Sequence, residues 1–371
     1  MLKEKLLNNN ILLYLVKIFF VLMFGIMLFP SIIKSIVIIA FSLLILLLAY
    51  RRGFVINKPS FLVNSSVYLV FLLTLIYTSN FSEASLKLQT TFSLFVFPLL
   101  FSLLNKSDIL EILKNIKIYL YIFIVATFLY NTLPFLWYFI THYTLQDTIK
   151  HYPLIIIKYI GRYGIHPIYM SMHCSLSILF SIYLFKDLKS TFIKIILLLI
   201  NIILVYFLLV YSKKGSIIAL IIILFLWSFF QDKKVKNFYY LSIFSVIVLL
   251  VCIPKTRNKF LEILKVEEAK TVSSNSTNTR YSIYKTALFL IKKSPLIGYG
   301  IGDYNDQLKL QYKKTTPFLL DKQYNSHNQY LSILAGHGLF GFVLFALLIG
   351  YIMYHAIKNK DYIVLELIIA F

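Results

Sequence analysis

Apolar residues occur in this chain as long, nearly continuous runs, separated by short polar intervals. Ten runs have about the 20-residue length that an α-helix needs to cross a bilayer. An eleventh begins near Asp361, close to the last residue, Phe371. The ten runs are 12–29, 31–50, 61–78, 88–104, 117–140, 167–185, 191–211, 215–230, 239–253 and 329–355. This pattern predicts an all-α polytopic membrane protein with about 10–12 transmembrane helices.

The longest polar interval separates the ninth run from the tenth and extends from about Pro254 to Asn328. It divides the chain into helices 1–9 (1–253), one large loop (254–328) and C-terminal helices (329–371). Irregular polar backbone is excluded from hydrocarbon unless protein covers it. We therefore expect the loop to lie at the membrane surface and to carry the function.

Composition supports the membrane assignment, because hydrophobic residues make up 59% of the 371 residues and charged residues only 14%. The mean hydropathy of +0.80 lies outside the range of soluble domains. Both cysteines, Cys174 and Cys252, fall inside apolar runs, so no disulfide framework is implied. The basic N-terminus and first run lack a small-residue cleavage site, which favours a retained helix over a signal peptide.

The net charge of +22 raises the question of nucleic-acid binding, but the distribution of bases along the chain indicates a membrane protein instead. With the N-terminus inside, alternate short segments hold sixteen bases on the inner side and seven on the outer side. The inner bases are Lys3, Lys5, Arg51, Arg52, Lys58, Lys106, Lys114, Lys117, Lys186, Lys189, Lys194, Lys233, Lys234, Lys236, Lys358 and Lys360. The outer bases are Lys34, Lys87, Lys150, Lys158, Arg162, Lys213 and Lys214. This bias places the large loop on the extracytoplasmic side.

Three outer segments contain most of the polar residues outside the runs. The segment 141–166 includes an apolar stretch at 154–157 and predicts a short interfacial helix. A tight connection lies at 211–215. In the large loop, the pattern predicts a helix from Arg280 that stops at Pro295, with a cap at Asn278 or Thr279, which places Arg280 in the first turn.

Four basic side chains from different segments fall on the same predicted side of the membrane: Arg280, His327, Lys213 and Lys214. Such a cluster suits a lipid-linked diphosphate, whose oxygens accept charge-assisted hydrogen bonds from Arg and Lys. The plainer interpretation is that each base only contacts phospholipid headgroups. The Ser326-His327-Asn328 sequence directly before the tenth run is less easily explained in that way.

Four ordered motifs resemble the O-antigen ligase and O-antigen polymerase superfamily, the bacterial inner-membrane transferases of lipid-linked glycans. They are Arg280-Tyr281, then Pro295-Leu296-Ile297-Gly298-Tyr299-Gly300, then His327-Asn328-Gln329-Tyr330-Leu331, and finally Gly338-Leu339-Phe340-Gly341. In motif detail the resemblance covers about 280–341. The family also has a basic residue outside the membrane, commonly in Ser-Arg-Gly. Here Ser212-Lys213-Lys214-Gly215 departs from it by having lysine and one extra residue, so Lys213 and Lys214 compete, and the Ser-x pairing favours Lys213.

The resemblance implies a metal-independent, inverting glycosyltransferase with a GT-C-like fold, no cofactor and undecaprenyl-diphosphate-linked glycan as donor. Arg280 and the lysine would stabilise the diphosphate leaving group. His327 would accept the proton of the attacking hydroxyl, or would only bind the diphosphate. The outer cavity that holds the diphosphate would also be lined by Asn328, His166 and Tyr330. The expected location is the bacterial inner membrane, with the active site facing the periplasm.

The sequence leaves the acceptor and the class of protein open, and several other residues of the large loop and the tenth run have a plain interpretation. The acceptor would be lipid A core in a ligase, which we favour, or a carrier-linked repeat unit in a polymerase. A transporter of lipid-linked glycans is the alternative class, but it should show a two-fold repeat and midplane ionisable residues. Asp303 and Asp306 are interpreted as a solvated turn rather than a metal site. The Gly298-Gly302 segment is interpreted as a turn that lets the backbone pass close to the membrane surface. His337 is interpreted as a packing residue or as the partner in a buried hydrogen bond.

Overall fold

The computed structural model describes residues 9–142, 144–159, 161–229, 233–268, 271, 276–320, 324–359 and 364. These residues form sixteen α-helices and four short 3-10 turns, with no strand among them. The helices are α1 Asn9–Phe24, α2 Ser31–Arg51, α3 Lys58–Leu73, α4 Phe81–Thr91, α5 Ser93–Ser102, α6 Lys106–Leu113, α7 Ile116–His142, α8 Leu145–Tyr159, α9 Pro167–Phe185, α10 Thr191–Tyr211, α11 Lys214–Ser228, α12 Lys233–Cys252, α13 Pro254–Leu261, α14 Ser276–Lys293, α15 Tyr304–Thr315 and α16 Gln329–Lys358. The all-α prediction is confirmed.

Each of the ten apolar runs falls on a helix or on a bent helix pair. Within the described part of the chain, six helices are long and apolar enough to cross a membrane, and the pair α4 and α5 makes a seventh if it is counted as one span. The run 88–104 was predicted as one helix, but it is bent by 42° at Phe92. Residues of α4 such as Glu83 and Lys87 are polar, whereas α5 is apolar throughout between Ser93 and Ser102. The eleventh run lies outside the described residues, apart from Val364.

The first of two compact units comprises residues 1–54, 104–260 and 356–371. In it, segments that the charge bias assigns to the inner side contact one another. Arg52 pairs with Asp108, Lys117 Nζ lies 2.8 Å from Asp187 Oδ2, and Lys186 lies over the ring of Trp227. These contacts fit the predicted alternation of the helices across the membrane. The segment 141–166 also contains the predicted helix, as α8.

A buried polar network connects α7, α8 and α10 in this unit. Tyr211 Oη donates to Asn131 Oδ1 at 2.5 Å, and Asn131 Nδ2 donates to the carbonyl oxygen of Thr127 at 2.8 Å. Tyr152 Oη donates to the Asn131 carbonyl oxygen. Since buried polar groups are costly unless they are paired, these bonds fix how the three helices meet.

The second unit comprises residues 55–103 and 261–355, and its main feature is a break in α16. At Gly338 the backbone leaves the helical conformation, with φ 63° and ψ −166°. The segment 295–300 lies against this break and forms four backbone hydrogen bonds with it. These are Tyr299 N to Ala335 O (3.0 Å), Gly300 N to Gly336 O (2.7 Å), Leu339 N to Pro295 O (2.8 Å) and Phe340 N to Leu296 O (3.2 Å). We call this set the backbone ladder.

The ladder explains why two of the sequence motifs occur together. A Cβ on Gly338 would lie 2.2 Å from the carbonyl oxygen of Leu296, and a Cβ on Gly298 would lie 2.6 Å from the backbone of Ala335. Only glycine allows the two backbones to approach so closely. The motif Pro295 to Gly300 therefore holds a bent helix. The sequence had predicted a turn close to the membrane surface, whereas the close contact that these glycines allow is with α16.

The loop that follows α3 holds the same segment from the other side. Tyr77 Oη donates to the Ile297 carbonyl oxygen at 2.6 Å. The Asp303 carboxylate accepts the backbone N–H groups of Ser79 at 2.8 Å and Asn80 at 2.7 Å. Asn80 Nδ2 donates to Asp306 Oδ2 at 2.6 Å. The segment after α14 is thus attached to both α3 and α16, which gives the second unit a fixed frame.

Candidate functional site

Arg280 is presented by α14, whose buried face is formed by Ile283, Ala287 and Leu290. The spacing of these three residues is that of one helical stripe, and Arg280 itself is exposed. The helix ends at Lys293, as Pro295 predicts, but it begins at Ser276. Arg280 therefore lies in the second turn, whereas the predicted caps had placed it in the first turn.

His327 lies in the short connection directly before α16, in an unusual backbone conformation. Its φ is +46°, in the left-handed region that non-glycine residues seldom adopt. The Asn325 side chain stabilises this conformation, since its Oδ1 accepts the His327 N–H at 2.9 Å. The Tyr324 ring lies 5.5 Å from the imidazole, centroid to centroid. Local strain of this kind is frequent at functional sites and is maintained by the surrounding bonds.

Arg280 and His327 interact electrostatically, although α14 presents Arg280 and the connection before α16 presents His327. Partial burial lowers the pKa of His327 below its ordinary value, and the positive charge of Arg280 lowers it further. Both effects disfavour a second cation at this position. At neutral pH the imidazole is therefore uncharged and has a lone pair available.

The residues on either side of His327 have structural tasks. Asn328 Oδ1 accepts the backbone N–H of Leu331 at 3.1 Å, so Asn328 caps the N-terminus of α16. Ser326 Oγ donates to the Asn328 carbonyl oxygen at 3.1 Å. Tyr330 is exposed, and its ring lies 6.0 Å from that of Phe345. His327 is thus placed by a capped helix end.

Lys213 and Lys214 occupy a tight turn between α10 and α11 in the first unit. Ser212 adopts φ +49° and is buried, and its Oγ donates to the Leu209 carbonyl oxygen at 2.6 Å. Lys213 is the N-cap residue of α11, and Lys214 is the first residue of that helix. Both side chains are partly exposed, which leaves both as diphosphate-ligand candidates.

His166 lies beside Lys213 in the first unit. It caps α9 by accepting the Ile168 N–H on Nδ1 at 3.3 Å. Partial burial lowers the pKa of His166, and the charge of Lys213 lowers it further. The structure thus brings the predicted residues together as two pairs, Arg280 with His327 and His166 with Lys213, each within its own unit.

Two acidic residues of the large loop differ from their sequence interpretation. Asp303 and Asp306 were interpreted as a solvated turn, but both carboxylates accept hydrogen bonds from the segment 79–80. Among the described residues, no group of three or more His, Cys, Asp or Glu side chains is placed to hold a metal ion. Their function in the structure is to hold the segment after α14 in place.

Sequence reasoning missed a polar cavity along one face of α16. The cavity is lined by Gln329, Ser332, Ile333, Gly336 and His337 from this helix. Their spacing of three and four residues is a helical stripe that mixes polar and small residues within an apolar run. This stripe was the available signal, but the interpretation of His337 as a packing or hydrogen-bonded residue obscured it.

Comparison with known proteins connects this part of the chain to one family. Residues 199–346 match the family model described as O-antigen ligase. A curated protein of Haemophilus influenzae, described as an uncharacterized protein, is 29% identical over 153 residues. That match covers 40% of this chain and 38% of the relative, so it spans well under half of the relative's length. The family match contains Lys213, Arg280 and His327, and it confirms the resemblance found in the sequence motifs.

Proposed function

We propose that this multi-pass membrane protein transfers a glycan from undecaprenyl diphosphate to lipid A core. The proposal is supported by the match of residues 199–346 to the O-antigen ligase family, whose members are glycosyltransferase-like enzymes. The reaction would take place on the periplasmic face of the bacterial inner membrane. The single observation that carries this proposal is the pairing of Arg280 with a neutral His327 at the capped end of α16.

In the proposed step, the acceptor hydroxyl oxygen forms a bond to the anomeric carbon of the donor sugar. The bond from that carbon to the diphosphate oxygen breaks, and undecaprenyl diphosphate leaves with the electron pair. The hydroxyl proton passes to the neutral imidazole of His327. Direct displacement of this kind inverts the anomeric configuration.

Arg280 stabilises the charge that develops on the leaving diphosphate. A guanidinium forms two parallel hydrogen bonds to phosphate oxygens, and it remains charged at every relevant pH. A bound diphosphate also adds negative charge near His327, which raises the pKa of the imidazole and helps it to accept the proton. Donor binding thus makes His327 a stronger base than it is in the free site.

Lys213 and Lys214 are proposed as further diphosphate ligands on the basis of the Ser-Lys-Lys-Gly sequence. Lysine supplies a compact positive charge without the fork of arginine. Substitution of each lysine by alanine and by arginine, with the donor dissociation constant as readout, separates the two candidates. Arginine should restore donor binding at the functional position. Unchanged donor binding in both alanine variants would remove the lysines from the site.

The proposal is tested by deleting the gene and complementing it with wild type, Arg280→Ala or His327→Ala. Lipopolysaccharide is then resolved on a gel. Both variants should fail to restore the wild-type pattern, whereas Arg257→Ala, which removes another exposed arginine of the loop, should restore it. Membrane levels of each variant are compared by immunoblot. Full activity of both site variants at normal levels would refute the proposed site.

The same gel separates a ligase from a polymerase, and an assay on sealed vesicles identifies a transporter. Loss of all O-chain from lipid A core, with long chains retained on the carrier, indicates a ligase. A core that bears a single repeat indicates a polymerase with the same donor. Accumulation of carrier-linked repeat units on the cytoplasmic face, detected by a membrane-impermeant lectin in sealed vesicles, would instead indicate a transporter.

A further inference from the structure

The polar cavity on α16 lies within the second unit and has a volume of about 220 Å³. Besides the stripe on α16, its polar lining includes Lys87 of α4, Asn305 of α15 and Asn325 of the connection before α16. Phe71, Ile301 and Ile333 supply apolar surface. Small-molecule sites have this character, with apolar walls and a few placed polar groups, and drug-sized ligands occupy at least about 300 Å³. The cavity therefore suits a ligand smaller than that.

His337 is the strongest indication that the cavity has a ligand. Its side chain is only 6% exposed, and one face of the imidazole stacks on Phe71 with centroids 4.4 Å apart. Within the described residues, its Nδ1 has no hydrogen-bond partner. A buried polar atom without a partner costs free energy, and an ionisable residue inside a membrane helix usually marks a functional site.

The cavity is close to electrically neutral. Lys87 is its one cation among the described lining residues, and Lys87 Nζ lies 3.9 Å from Glu83 Oε1. Asn305 Nδ2 donates to the same carboxylate oxygen at 2.8 Å. The remaining polar lining consists of amides, hydroxyls and the imidazole. A phosphate or carboxylate would enter without net countercharge, whereas a neutral ligand rich in hydroxyl groups would not require one.

The cavity also begins beside the proposed catalytic base. Asn325 lines it, and the Oδ1 of Asn325 accepts the His327 N–H at 2.9 Å. From Gln329 to His337, the stripe extends along α16 for about 12 Å, at 1.5 Å per residue. A ligand in the cavity would therefore reach from the level of the proposed reaction towards the interior of the helix bundle.

We propose that this cavity binds one neutral sugar ring of the acceptor, the ring whose hydroxyl attacks the donor. The ring is held by the amides of Asn325 and Gln329 and by the Ser332 hydroxyl, and one of its hydroxyls donates to His337 Nδ1. This inference rests on the proposed function, since it names the acceptor subsite of the same reaction. His337 would be a binding residue for the acceptor, and His327 would remain the base.

Thiol protection tests the subsite without requiring transfer. Ser332→Cys is introduced into full-length Cys252→Ser protein, because Cys252 is exposed whereas Cys174 is buried. The alkylation rate is measured with D-glucose, D-galactose, N-acetyl-D-glucosamine or inorganic phosphate. At least one sugar should slow alkylation several-fold, and phosphate should not. Leu310→Cys, an exposed position on α15 outside the cavity lining, should show no protection.

Several outcomes of this experiment would overturn the subsite. They are unchanged alkylation with all three sugars, equal slowing at Leu310→Cys, and protection by phosphate alone. Gln329→Cys, at the exposed end of the stripe, serves as a second reporter. Lack of reaction at Ser332→Cys together with no sugar protection at Gln329→Cys would show that the cavity is closed to sugars, which also overturns the proposal.

Steady-state kinetics then distinguish an acceptor ring from a donor ring. Ser332→Leu fills the cavity, so we expect the acceptor KM to rise by about tenfold or more, equivalent to about 1.4 kcal/mol, with the donor KM within about twofold. Ser35→Leu adds the same side chain on an exposed face of α2 and should change neither value. A rise in the donor KM alone would assign the cavity to the donor and refute the acceptor assignment.

The two levels of the proposal fail in different ways. If Arg280→Ala and His327→Ala retain full transfer, the catalytic assignment fails, whereas sugar protection at Ser332→Cys can still be observed. If both catalytic variants lose transfer but no sugar protects the cysteine, the proposed function stands and the acceptor subsite alone is wrong.

Discussion

Replacing Gly338 by alanine tests whether the backbone ladder stabilises the second unit. At φ 63° and ψ −166°, Gly338 occupies a region that is essentially restricted to glycine, and strained conformations of this kind cost about 1–3 kcal/mol. In addition, the new Cβ would lie 2.2 Å from the Leu296 carbonyl oxygen, so the segment 295–300 must move.

That movement affects the nearest rungs of the ladder. Leu339 N to Pro295 O and Phe340 N to Leu296 O are the two bonds beside Gly338. Each backbone hydrogen bond contributes about 0.5–1.5 kcal/mol net, so their loss costs about 1–3 kcal/mol. With the conformational strain included, we expect Gly338→Ala to reduce the free energy of unfolding by about 2–6 kcal/mol.

Gly350 of the same helix provides a matched control. A Cβ at Gly350 would have no atom within 4 Å, and this glycine does not have a positive φ. Alanine at this helical position should be neutral or should stabilise the protein by up to about 1 kcal/mol. The two variants therefore make the same chemical change, but Gly338→Ala should lower the free energy of unfolding and Gly350→Ala should leave it unchanged or raise it.

Both variants are purified in the same detergent and compared with wild type. Thermal midpoints are measured by intrinsic fluorescence, and free energies of unfolding by titration with a denaturing detergent. The expected order of stability is Gly350→Ala at or above wild type, with Gly338→Ala well below it. If Gly338→Ala is as stable as Gly350→Ala, the ladder does not stabilise the unit and our reasoning is wrong.

Three further predictions concern the candidate site. The lowered pKa of His327 keeps its imidazole in the base form at pH values below the ordinary histidine pKa. Arg280→Gln removes one cause of that lowering and should move the acidic limb of kcat/KM to higher pH, whereas Arg280→Lys should not. Identical pH profiles for wild type and Arg280→Gln would contradict the pairing. Asp303→Ala removes two charge-assisted hydrogen bonds of about 1.5–3 kcal/mol each and should lower the thermal midpoint far more than a surface substitution. An unchanged midpoint would show that the Asp303 contacts contribute little to stability. Asn328→Ser retains a capping side chain and should keep both stability and transfer. Asn328→Ala lacks the cap and should lose about 1 kcal/mol of stability. Lost transfer in a stable Asn328→Ser variant would show that Asn328 also contacts substrate.

Sequence patterns predicted the helices well because membrane helices must satisfy their own backbone. Each apolar run became a helix or a bent pair, and Pro295 correctly marked the end of α14. The bend at Phe92 was missed because the apolar count for the run 88–104 hides the polar residues that precede it in α4. The start of α14 was also misplaced, because Asn278 and Thr279 favour caps but are tolerated inside a helix.

The candidate site was only partly readable from the sequence. Arg280 and His327 were expected to share a site, and in the structure the charge of Arg280 lowers the pKa of His327, while their joint function stays a prediction. The attachment of Asp303 to Ser79 and Asn80 joins residues that are far apart in the chain, and no local pattern predicts it. The cavity beside His337 was missed for a similar reason, since its lining comes from α4, α15 and α16 together.

The backbone ladder fixes the length of one part of the large loop. Pro295 to Gly300 is fixed in register against α16, and the capped end of that helix sets the position of His327. A residue inserted within 295–300 would shift one side of the ladder by one position, and the glycines would no longer face the backbone of α16. A relative that kept the ladder would therefore keep this segment at the same length.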